Sequence, residues 1–102
     1  MKKFEEKLTL LQEERKIERW LKEAGYTDGC IGAGFEPIDG HQGRAIDFEY
    51  NGNIDELDVD ELATAIAENV IDDIFYVRVF IYDEEDGEAY KNLFCVEVWL
   101  NE

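Results

Sequence analysis

Apolar positions in the first two dozen residues recur at spacings of three, four or their multiples: Phe4, Leu8, Leu11, Ile17, Leu21 and Ala24. That period predicts a helix from about Lys3 to Ala24 that buries one stripe. Glu14 and Glu18, with Arg15, Arg19 and Lys22, fall on the other sides and offer i,i+4 pairs. Gly25 stands where a helix end is expected, and Lys22 in the last turn suits the negative end of the helix.

The period then breaks. Gly25 to Gly43 contains six glycines and the only proline, Pro37, which predicts turns and a short, irregular strand around Cys30–Glu36. From Arg44 to Tyr50 the pattern becomes alternation, with Ile46, Phe48 and Tyr50 on one face and Ala45, Asp47 and Glu49 on the other. Asn51-Gly52-Asn53 ends that strand. A second helix is predicted from Asp58 or Asp60 to about Ile71, with Leu62, Ala65, Ile66, Asn69 and Val70 as its inner stripe. Asp58-x-x-Glu61 resembles a capping pair at its start. Ile74–Tyr82 and Tyr90–Leu100 alternate as two further strands, joined by Asp83-Glu84-Glu85-Asp86-Gly87-Glu88. Matching their faces gives one register with Arg78 opposite Glu97 and Tyr76 opposite Trp99.

The expected fold class is therefore α+β: two layers in the order αββαββ, with helices on a mostly antiparallel four-stranded sheet. At 102 residues, positions 1–102 are expected to form one domain. Helices on the Phe75/Val77/Val79/Ile81 face would leave Tyr76, Phe80, Tyr82 and Trp99 on the other, an aromatic patch suited to a partner or a homodimer. The alternative is that the glycine-rich segment or a helix folds over that face.

Composition agrees with a packed core, at 45% apolar and 13% aromatic residues. No run resembles a secretory h-region or a membrane span, so a cytoplasmic, soluble protein is expected. Charge changes the picture more. The net charge is −16, and residues 1–22 hold seven bases against five acids. Residues 23–102 hold 21 acids against Arg44, Arg78 and Lys91 alone. Such a field repels nucleic acid and anionic membranes and draws in basic surfaces.

Chemistry-bearing residues are sparse. The chain has no serine and one histidine, which leaves out serine nucleophiles and triads. His41 in the loop Asp39–Gly43 and Cys30 could in principle form a thiol–imidazole pair, but one without an orienting group. Gly29-Cys30-Ile31-Gly32-Ala33-Gly34 precedes a strand instead of opening a helix, so it is no dinucleotide loop. Asn51, Asn53 and Asp55 imitate a calcium loop, but Glu56 stands where glycine is needed and Leu62 where the bidentate Glu belongs. Cys30 and Cys95 form no CxxC pair and are expected to stay reduced, Cys95 as a small apolar residue. The expectation is no enzyme, no cofactor and no metal.

In length, extreme acidity, compact α+β pattern and missing catalytic groups, the whole chain resembles the small acidic DNA-mimic inhibitors of phages and mobile elements, the anti-CRISPR and anti-restriction proteins. That resemblance implies a basic nucleic-acid-binding enzyme or complex as partner, in a host bacterial cell. Acidic immunity proteins that neutralise nuclease toxins share these features, and a structural or adaptor module using the aromatic face is the remaining alternative. The carboxylates placed to meet a basic surface are Asp47 and Glu49 on a strand, then Asp55, Glu56, Asp58, Asp60 and Glu61 at a helix start. Asp72 and Asp73, and Asp83, Glu84, Glu85, Asp86 and Glu88, complete the set.

Overall fold

A computed structural model describes the backbone of residues 2–101 and the side chains of residues 5–101. The chain runs α1 (Lys2–Glu23), β1 (Cys30–Ile38), β2 (His41–Glu49), α2 (Val59–Asn69), β3 (Phe75–Ile81) and β4 (Leu93–Leu100). Short 3-10 turns occupy Ile54–Glu56, Glu84–Asp86 and Glu88–Tyr90. The sheet is antiparallel throughout, in the order β1-β2-β4-β3. The fold is α+β in the expected order.

One hydrophobic cluster joins Leu10, Ile17 and Leu21 of α1 to Leu62 and Ile66 of α2 and to one sheet face, formed by Ile46, Phe48, Val79, Phe94, Val96 and Val98. Both helices therefore lie on the same side. The interior stripe of α1 differs from the expected one: Leu10 is buried and Leu8 is exposed, while Phe4 lies outside the described side chains. Glu13 sits among the buried positions at 2% exposure. Its carboxylate accepts the Asp72 backbone N–H at 3.1 Å and pairs with Lys16 Nζ at 2.7 Å. A paired acid can occupy a core-facing position that the apolar period leaves blank.

In α2, Asp58 is the N-cap, its Oδ1 accepting the Glu61 N–H at 3.1 Å. The helix ends at Asn69, whose exposed amide donates to the Ala65 carbonyl instead of joining the core. Ala63 packs on the core cluster in place of Ala65.

The first hairpin is longer than the glycine content predicts. Asp39 and Gly40 both take positive φ, 51° and 82°, as a two-residue hairpin turn requires. Pairing therefore runs from Ile38↔His41 to Cys30↔Phe48, with one irregularity between Cys30 and Gly32. His41 begins β2 instead of lying in a loop. At the other end of the sheet, Arg78 pairs with Glu97 and Tyr76 with Trp99, as the alternation predicted. Among the described residues no helix is long and apolar enough to cross a membrane.

Candidate protein-binding surface

Among the described residues both helices pack on the other face, leaving the second sheet face without a helix, yet β4 is buried on both sides. Side chains packed across their neighbours on the same face account for this. Trp99 is 8% exposed, with the Tyr76 ring 5.7 Å away and the Arg78 guanidinium 5.4 Å above it. Arg78 donates to the buried Glu97 carboxylate at 2.7 Å. Tyr82 donates its hydroxyl to Asp47 Oδ1 at 2.6 Å, spanning β4 at Cys95, which pairs with Asp47 on one side and Phe80 on the other. Tyr90 from the β3–β4 connection meets Tyr82 at 4.7 Å. Of the four aromatics expected on this face, Tyr76 is half exposed, Phe80 and Tyr82 are half-buried, and Trp99 is covered. The cover is no helix; part of it comes from the glycine-rich segment, where Ile38, 3% exposed, packs beside Gly43, the partner of Trp99 in the ladder.

Glu36 reaches this face from β1 and hydrogen-bonds Glu97, which raises its carboxyl pKa above the ordinary value, with burial adding to the effect. Burial also pushes the Cys95 thiol up to about 12, so it stays protonated at neutral pH. Burial and the nearby Glu14 and Glu18 raise Cys30 as well. Both thiols are free. Cys30 and His41 stand at opposite ends of the β1–β2 ladder, about 23 Å apart along the strand at 3.3 Å per residue, so they form no pair. Among the described residues no three His, Cys, Asp or Glu side chains gather as a metal site.

The expected contact carboxylates divide in two. Some serve the fold: Asp58 caps α2, Asp47 holds Tyr82, Asp72 lies 3.6 Å from Lys16 Nζ, and Asp86 Oδ2 accepts the Asp83 N–H. Others are exposed: Glu49, Asp55, Glu56, Asp60, Glu61, Asp73, Glu84, Glu85 and Glu88. Among the described residues these have no side-chain hydrogen bond or ion pair. Glu13, Glu36 and Glu97 are acids with defined partners that the charge pattern alone does not single out. Only the Arg78/Glu97 register pointed to one of them.

The bases are grouped differently. Lys7, Arg15, Lys16, Arg19 and Lys22 lie on α1, and Arg44 on β2 pairs with Glu14 of that helix. Lys7 and Arg44 both approach the Phe35 ring of β1, at 5.2 and 4.3 Å. Beyond residue 44 the only bases are Arg78, engaged by Glu97, and Lys91. Since α1 packs on β2 and β4 while α2 packs on β3, acids without internal partners concentrate toward the β3 edge. No protein-family model, curated protein or solved structure matches the chain.

Proposed function

We propose that the protein is a non-enzymatic inhibitor that occupies the basic nucleic-acid-binding surface of a nuclease or CRISPR effector, in the manner of DNA-mimicking anti-CRISPR and anti-restriction proteins. The observation that supports this most is the segregation of charge, with exposed, unpartnered carboxylates gathered on the α2 and β3–β4 side. Carboxylates at i,i+3 or i,i+4 on a helix lie about 5–6 Å apart, and alternate strand residues about 6–7 Å. Those spacings suit neighbouring guanidinium groups that otherwise grip phosphates bidentately. A field of this sign also speeds encounter with a cationic channel.

The test uses acids that do not cap an element: Glu56, Glu61, Glu84 and Glu85. Tagged protein is used to capture partners from host lysate at about 50 and 200 mM salt, the range over which phosphate-type contacts lose most of their affinity. The expected partner is a nucleic-acid enzyme that is released by duplex DNA, inhibited at one-to-one stoichiometry, and lost when all four residues become lysine. Unchanged inhibition by that quadruple variant would sink the proposal. A non-basic partner held independently of salt would move the function to an adaptor.

A further inference from the structure

The free edge of β3 differs in kind from the free edge of β1. In the β3–β4 ladder the Asn101 N–H donates to the Ile74 carbonyl at 2.7 Å, and these residues lie opposite one another in the register that pairs Phe75 with Leu100. Bonded pairs alternate along an antiparallel ladder, so Tyr76, Arg78 and Phe80 direct their backbone groups into β4. Val77, Val79 and Ile81 direct theirs outward. The β2–β4 ladder obeys the same alternation, with the Tyr50 N–H on the Asn92 carbonyl. It follows that Ala33, Phe35 and Pro37 face outward on β1.

Pro37 has no N–H to offer, β1 is irregular between Cys30 and Gly32, and Lys7 and Arg44 flank Phe35. That edge is blunted as natural sheets blunt theirs. β3 has no proline, no glycine and no break in register. A groove of about 430 Å³ runs beside it, lined by Val77 and Val79, by Asp60 and Ala63 of α2, and by Tyr76 and Trp99 among others. Ile74 and Ile81 are exposed at its two ends. Beyond them stand Asp72 and Asp73 on one side and Asp83 and Glu84 on the other, all exposed.

We infer that β3 is a docking edge for an extended basic segment of a partner protein, which joins the sheet as a fifth strand of roughly seven residues. Backbone bonds to Val77, Val79 and Ile81 hold the segment, alternate apolar side chains lie beside Tyr76 on the face away from the helices, and the lysine or arginine between them reaches Asp60 on the helix side and the acids at either end. A second copy of this chain is the wrong occupant, because it would bring another net charge of −16 against the same acids. The inference rests on the proposed basic partner and adds how that partner is held.

The probes are a synthetic octapeptide alternating lysine and valine, and one of equal charge alternating lysine and glycine, which has low strand propensity. Affinity is measured at low salt, and amide hydrogen exchange is followed residue by residue. The valine peptide is expected to bind on the order of tenfold more tightly and to slow exchange at Val77, Val79 and Ile81 but not at Ala33 or Phe35. Ile81→Pro removes one outward N–H and no ladder bond, so it should erase most of that margin while leaving the glycine peptide's affinity unchanged. Should that variant fail to fold, the exchange pattern of the unaltered protein still decides. Equal binding of both peptides without protection of β3 overturns strand addition and leaves the basic-partner reading standing. Absence of binding by either peptide overturns both. Protection of the same amides by the protein alone, rising with its concentration, assigns the edge to a second copy and overturns the inference.

Discussion

The Glu36 carboxyl faces Glu97 across the sheet face, and that contact makes the protonation of Glu36 part of the fold's stability. The Glu36 carboxyl titrates above its ordinary value, chiefly through the hydrogen bond to Glu97. The folded state thus holds this proton more tightly than the unfolded chain. Its contribution to stability is greatest below the unfolded pKa and declines as pH rises through the raised folded one. Glu36→Gln keeps a donor for Glu97 and removes the ionisation. It should stabilise the protein at pH 7 by a few tenths of a kcal/mol, the scale of exposed charge pairs. That gain should vanish as pH falls below the ordinary glutamate range, which thermal melts across pH 3.5–7.5, a range on the order of that spanned by carboxyl titration, will read. Glu13 gives the opposite case. Glu13→Ala orphans the Asp72 N–H, at a cost of about 1–3 kcal/mol in denaturant melts, whereas Glu13→Gln keeps an acceptor and should lose less. A sequence pattern ranks both residues with the surface acids, because a partner far along the chain, 59 positions away for Glu13, leaves no local sign.

At the scale of elements, what could be read depended on whether the deciding contacts were local. The order αββαββ, the Asp58 cap and the β3–β4 register all follow from periodicity, a turn or a neighbouring strand. Asp58→Ala should accordingly cost about 1 kcal/mol, as loss of an N-cap does, without altering the far-UV circular dichroism of the native state. The face of α1 was legible at Ile17 and Leu21, both buried as the spacing predicts, but not before them, since the buried Glu13 interrupts the apolar series between Leu10 and Ile17. Nor was the length of the first hairpin, whose glycines pointed to turns although only Asp39 and Gly40 form one. The acidic clusters were legible as surface, being caps and turns. Their division into structural and unpartnered acids was not, and neither was the covering of Trp99, which needs β4 to lie between β2 and β3.

For the whole molecule, repulsion among 26 acids opposes compaction, and only ten bases offset it. Screening should therefore stabilise the protein. Raising sodium chloride from about 20 to 300 mM shortens the Debye length from roughly 20 to 6 Å, and the melting temperature should rise by several degrees. Chloride and sulfate at matched ionic strength should act similarly if screening is the cause. A fall in melting temperature with added salt would mean that attraction between opposite charges outweighs the repulsion. The same salt should weaken any basic partner's hold, so stability and affinity are expected to move in opposite directions.

The separation of bases on α1 and around Phe35 from acids on α2 and the β3–β4 connection gives the molecule a permanent electric moment along the strand order, from the β1 side toward β3. A body with such a moment does not meet a charged surface at random. It turns while still several ångströms away, and a cationic target would encounter the β3 edge before any side chain had touched.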